Sequence, residues 1–167
     1  MTDAQSSKLS AAYDRMIERL HETAQREGSL RERLQVIRDA MVELGELSRE
    51  EAVQVAEYVE RDIQEAAHFL VETGEDLRKW WRFDVALMEE RLWEWFSQVA
   101  DQTSLQLQAL AEQAHAESPY ASGEISGPGT LICVQCGHEL LMKETGTIPP
   151  CPQCQGTAFR RFQRSAD

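Results

Sequence analysis

The chain has 167 residues and a formal net charge of −12; 42% of its residues are hydrophobic and 28% charged, with only 9 Gly and 5 Pro. Such a composition provides for one ordinary domain or two small ones, and leans towards long helices. Residues 129–167 hold four basic side chains (Lys143, Arg160, Arg161, Arg164) and three acidic ones (Glu139, Glu144, Asp167), a net +1 that leaves −13 on residues 1–128, and an acidic body argues against broad, non-specific nucleic-acid binding because phosphate neutralisation needs the opposite sign.

In chain order, Met1 to Ser10 is polar and lacks the basic-then-apolar layout of a secretory signal. No apolar run approaches the roughly 20 residues of a membrane-spanning helix, so a soluble cytoplasmic protein with no membrane partner is expected. From Leu9 to Leu44, the residues Leu9, Tyr13, Met16, Leu20, Leu30, Leu34, Ile37, Met41 and Leu44 fall on alternating steps of four and three. This is a heptad stripe on one helix face, interrupted only at Thr23 and Glu27. Gly28–Ser29 has the look of a break, and Ser29 with Glu32 would make a capping box, yet the register runs through without slipping. The pattern therefore predicts one long helix with a weak point at residues 23–29.

Gly45–Glu46–Leu47–Ser48 closes that helix. Gly45 suits a left-handed C′ position, and Ser48 with Glu51 starts the next helix, which so short a connection makes an antiparallel neighbour. The second helix carries Ala52, Ala56, Val59, Ile63, Ala66, Leu70 and Leu77, then Trp81, Val85, Met88, Leu92, Trp95 and Val99. Steps of four around Leu77, Trp81 and Val85 resemble a stutter, with Thr73–Gly74 a candidate bend just before it. A continuous helix of this length would reach about 75 Å. Trp80, Trp81, Trp93 and Trp95, with Phe83 and Phe96, do not share one face. They call for more than one neighbour, either a third segment of the same chain or a second copy.

Asp101–Gln102–Thr103–Ser104 offers caps for a third, shorter helix through about Ala116, with Leu107, Leu110 and Ala114 on one face. The fold class expected is thus mainly α: a long antiparallel helical hairpin with a third shorter helix, followed by a small C-terminal β zinc ribbon. The acidic, coiled-coil-like helical domain takes residues 1–117. A Pro- and Gly-rich linker takes 118–129, and the ribbon 130–167.

The ribbon is read from its cysteines. Cys133–Val134–Gln135–Cys136 and Cys151–Pro152–Gln153–Cys154 hold all four cysteines of the chain, in two pairs of equal spacing. That is the pattern of a four-thiolate metal site, and the site residues expected are Cys133, Cys136, Cys151 and Cys154. Thr130–Leu131–Ile132 reads as a strand delivering Cys133, Glu139 to Glu144 as a returning strand, and Thr157 to Gln163 as a final one with Phe159 and Phe162. Gly137 supplies the positive φ of a knuckle, which points backbone N–H groups at thiolate sulfur. Four thiolates leave no open coordination position, so one structural Zn2+ is expected and no catalytic or organic-cofactor site. So small a module cannot bury enough apolar surface to fold unaided, and the metal would stabilise it. Redox thiols and chance spacing are the plain alternatives, and thiolate spacing does not separate zinc from iron. His138 is expected to face solvent, and His21, His68 and His115 form no second cluster.

With these features placed, the chain resembles a bacterial family of small zinc-ribbon-containing proteins of unknown function, the YbeL-like family. The resemblance rests on Gly45–Glu46–Leu47–Ser48, Leu92–Trp93, Ala100–Asp101–Gln102–Thr103 and Tyr120–Ala121–Ser122–Gly123–Glu124. It continues through Gly127 to Cys133 and through Pro150–Cys151–Pro152–Gln153–Cys154 with Phe159 and Arg161. It implies an N-terminal helical region and a C-terminal ribbon ligated by the four cysteines, and no activity. One departure is Gln155, which follows the last cysteine where a knuckle usually has glycine, with Gly156 one place later.

The function expected is that of a non-enzymatic interaction or adaptor protein. Its partner would be another protein, or a second copy, bound through the helical region. A nucleic-acid-linked ribbon is the alternative, since Arg160, Arg161 and Arg164 interleave with Phe159 and Phe162. The competing account makes the phenylalanines a small core and the arginines a solvated edge that pairs in part with the acidic body. A rubredoxin-like electron carrier comes third. The chain has no Gly-rich phosphate loop, nucleophile elbow or His-x3-His pair.

Overall fold

The computed structural model describes residues 2–23, 27–73, 108–109, 111–112 and 120–162. Three helices lead: α1 (Asp3–Glu22), α2 (Leu30–Glu43) and α3 (Arg49–Thr73). Six short strands follow: β1 (Tyr120–Ala121), β2 (Ile125–Ser126), β3 (Gly129–Cys133), β4 (Glu139–Met142), β5 (Gly146–Thr147) and β6 (Ala158–Arg161). The second half of the expected long helix, with its stutter and all four tryptophans, lies outside the described residues. Of the expected third helix only residues 108, 109, 111 and 112 are described, and all are helical.

The single helix expected over residues 9–44 is two helices. Thr23 caps α1, its N–H and hydroxyl both donating to the carbonyl of Arg19. Gly28 then turns at φ 125°, a conformation a helix cannot contain and glycine adopts without steric cost. The Ser29–Glu32 capping box forms in full: the Glu32 N–H donates to Ser29 Oγ at 3.2 Å and the Ser29 N–H to Glu32 Oε2 at 2.8 Å. Each helix buries its own stripe in one core, Leu9, Tyr13, Met16 and Leu20 from α1 and Leu34, Ile37 and Met41 from α2. The shared phase therefore carries no information about continuity, and the local capping chemistry decides.

The second turn forms as its residues require. Gly45 (φ 70°) gives its N–H to the carbonyl of Val42, and Glu46 gives its own to that of Met41, the paired bonds of a Schellman closure. Ser48 and Glu51 exchange hydrogen bonds at 3.1 and 2.9 Å to open α3. Glu46 leaves the turn to pair with Arg15 and Arg19 of α1 at 3.1 and 2.6 Å. The first helix thus rests on the turn as well as on both neighbouring helices.

The strands form two small antiparallel sheets, β1-β6-β3-β4 and β2-β5. Residues 120–129, within the segment expected as a linker, carry β1, β2 and the start of β3. Glycine and proline there serve close packing and tight turns as well as they would a flexible connection. Ile125 of β2 is fully buried among the helical core residues, and β2 packs on both α1 and α3. The four-stranded sheet has its own core: Tyr120, Leu131, Met142, Ile148 and Phe159, with Cys133 and Cys151.

Where the sheet meets the helices there is a buried ionic cluster centred on Asp62 of α3, which has no exposed surface. Its Oδ2 accepts hydrogen bonds from Tyr13 Oη at 2.7 Å and from the Gly127 N–H at 2.8 Å. Its Oδ1 accepts from Tyr120 Oη at 2.8 Å and pairs with the Arg161 guanidinium at 3.2 Å. Arg161 also reaches Ser126 Oγ and the Pro128 carbonyl. Arg61 lies 3.8 Å from the centroid of the Tyr120 ring and pairs with Glu124 at 2.6 Å.

Candidate metal centre

Each cysteine pair sits on a turn built by its own backbone. In the first, the Cys133 N–H donates to the His138 carbonyl and the Gly137 N–H to the Cys133 carbonyl, both at 2.9 Å. The second repeats this: Cys151 N–H to the Gly156 carbonyl at 2.9 Å, Gln155 N–H to the Cys151 carbonyl at 2.8 Å. The left-handed position taken by Gly137 (φ 74°) in the first turn is taken by Gln155 (φ 61°) in the second, the one non-glycine residue with positive φ among the described residues. The departure seen in the sequence therefore changes the residue and leaves the turn in place. Backbone N–H groups point at sulfur as such turns provide: those of Cys136 and Gln135 at Cys133, that of His138 at Cys136, and that of Gly156 at Cys154.

The four sulfurs converge, all within 4.8 Å of one another. Cys133 Sγ lies 3.5 Å from Cys154 Sγ, and Cys136 Sγ 3.6 Å from Cys151 Sγ. A disulfide would need about 2.05 Å, and all four thiols are free. Four sulfurs around a zinc ion at about 2.3 Å sit about 3.8 Å from each other, so these separations are compatible with one ion held among all four. Cys133 and Cys151 are buried against the ribbon core, while Cys136 and Cys154 face outward.

The electrostatics agree with the geometry. The Cys136 and Gln135 amides hold the Cys133 thiol down at about 7. At Cys154 the Gly156 N–H works in the same direction, but the neighbouring thiols of Cys136, Cys133 and Cys151, with burial, push it up to about 12. Four sulfurs this close cannot all ionise without a cation between them. The donor set, all thiolate with amides behind it, suits a soft or borderline divalent ion.

All four sequence-predicted residues are thus brought together. Among the described residues they form the one cluster able to hold a metal; His21, His68 and His138 take no part in it, and His115 lies outside the described residues. Arg161, expected on a solvated edge that pairs in part with the acidic body, is instead buried, its side chain 1% exposed and paired with Asp62. Arg160 is exposed, and Arg164 lies outside the described residues. Asp62 was missed. Its signal was a carboxylate three residues after Val59 and four before Ala66, a spacing that puts it on the buried stripe.

Three helices followed by a small antiparallel β region that gathers four cysteines define a helical protein with a zinc-ribbon module. A family model described as a zinc-ribbon containing domain matches residues 18–163, and the chain belongs to that family. It is similar to the uncharacterized protein YbeL of Escherichia coli K12, with 28% identity over 127 residues that cover 74% of this chain and 76% of that protein. The YbeL sequence of Escherichia coli O157:H7 matches to the same extent. No solved structure gives a significant match.

Proposed function

We propose that this is a non-enzymatic interaction protein whose ribbon holds one structural zinc ion through Cys133, Cys136, Cys151 and Cys154, and whose helical region meets a protein partner. The observation that carries the metal reading is the convergence of four thiols within 4.8 Å of one another. A four-thiolate shell has no position left for water or substrate, which supports a structural role for the ion over a catalytic one. The family and the YbeL relatives come without an activity to transfer.

Metal analysis of protein purified under reducing conditions is expected to give one zinc per chain and none after Cys→Ser substitution at two positions. A visible absorption spectrum separates zinc, which is colourless, from iron in the same ligand shell. For the partner, affinity purification from native extract with light scattering on the same sample is expected to give a reproducible complex. A clean monomer with no partner would count against the adaptor reading. The nucleic-acid reading is weakened by Arg161, whose charge is spent inside the protein on Asp62. A salt-dependent gel shift with the full chain tests it, and no shift at low salt is expected.

A further inference from the structure

A carboxylate without exposed surface is costly unless its charge is matched and its oxygens are hydrogen-bonded. The partners of Asp62 come from two parts of the chain. The helices supply Tyr13 Oη at 2.7 Å and, at 3.6 Å, the Nε of Arg61. The ribbon segment supplies Tyr120 Oη, the Gly127 N–H and Arg161. Most of what makes a buried charge tolerable in α3 therefore arrives from the strands.

Those strands flank the one that carries Cys133. Cys133 of β3 is paired with Phe159 of β6, and Leu131 with Arg161 two residues along the same ladder. Tyr120 of β1 is paired with Phe159 from the other side. The side chains of Tyr120, Phe159, Cys133 and Cys151 share one small core. A core of that size owes much of its stability to the ion its thiolates bind. Loss of the ion loosens the ladder, and with it the grip of Arg161, Tyr120 and Gly127 on Asp62.

We propose that the Asp62 cluster couples metal occupancy of the four-cysteine site to the order of the helices, so that the ribbon acts as a metal-dependent lock on α1 and α3; this rests on the reading of the cysteines as metal ligands. With metal bound, Asp62 is neutralised by Arg161 and held by three hydrogen bonds. With metal removed, Asp62 keeps Tyr13 and Arg61 alone, on a helix face from which Ile125 has also withdrawn.

The test uses the full chain, zinc-loaded and chelator-stripped, with zinc content measured on each sample and amide hydrogen exchange followed in α1 and α3. On stripping, amides around Tyr13 and Asp62 are expected to exchange about 100-fold faster and to recover on adding zinc back. A chain that takes up zinc but shows unchanged helical exchange overturns the coupling and leaves the metal reading standing; a chain that takes up no zinc overturns the metal reading itself. Arg161→Lys keeps the charge and loses the planar fork, so helical exchange is expected to rise with zinc still bound at wild-type content. The paired change Asp62→Leu with Arg161→Met removes both buried charges and is expected to shrink the zinc-dependent difference by about tenfold. Wild-type exchange in Arg161→Lys, or an undiminished zinc dependence in the paired variant, rules out Asp62 as the carrier.

Discussion

Two residues carry the sharpest consequences of the packing. At Gly127 an added methyl would meet Tyr13 Oη at 2.7 Å and Asp62 Oδ2 at 3.4 Å, both inside the buried cluster. Neither atom can retreat without breaking a hydrogen bond to a charge. Gly127→Ala is expected to lower stability by about 2–4 kcal/mol, read from denaturant midpoints. Gln155 shows the opposite case, a side chain tolerated where glycine fits better. Its φ of 61° costs an L-residue something its turn partner Gly137 does not pay. Gln155→Gly is expected to be stabilising by about 0.5–1 kcal/mol after the added chain entropy is subtracted, with zinc content unchanged. Gly156 is more constrained, because a methyl there would lie 3.2 Å from Cys133 Sγ, while the exposed Gln135 side chain beside it could swing away.

At the level of elements, what was legible in the sequence depended on how local its cause was. The four cysteines, the Gly45 turn and both capping boxes are set by residues within a few positions of each other, and each was readable. The break after α1 was readable as chemistry but was overruled by a periodicity that two separate helices can share. Gly28→Ala tests which cause governs. Its methyl would meet Glu32 Oε2 at 3.2 Å in a backbone conformation that favours glycine. It is expected to cost about 1–2 kcal/mol and to leave helix content unchanged by circular dichroism; a gain in helix content would mean that the two helices had joined. Strands β1 and β2 were not legible, because each has two residues and is defined by partners far away in the chain, Phe159 and Thr147 among them. Asp62 was hidden for the same reason: its partners lie up to 99 positions further on, at Arg161.

For the whole molecule, charge ties the metal to pH. Metal-free Cys154, pushed up to about 12, and Cys136, also raised, are both protonated at neutral pH. Only thiolates bind the ion, so zinc uptake near pH 7.5 is expected to release at least two protons. Calorimetry in buffers of different ionisation enthalpy counts them, and one or fewer would mean that the thiols are not all ligands. The sign follows directly: protons compete for the same sulfurs, so affinity falls as pH falls.

Ile125 lies in β2, yet its side chain sits among Leu9, Tyr13, Ile63 and the rest of the helical interior. The helices therefore do not own all of their core. A fragment ending after α3 would carry an open socket where that isoleucine belongs, flanked by an acid that has lost Arg161. Such a fragment is expected to associate with itself or to precipitate more readily than the full chain, as light scattering on the two would read. Any module put in the place of the ribbon would have to bring a plug for that socket as well as a fold of its own.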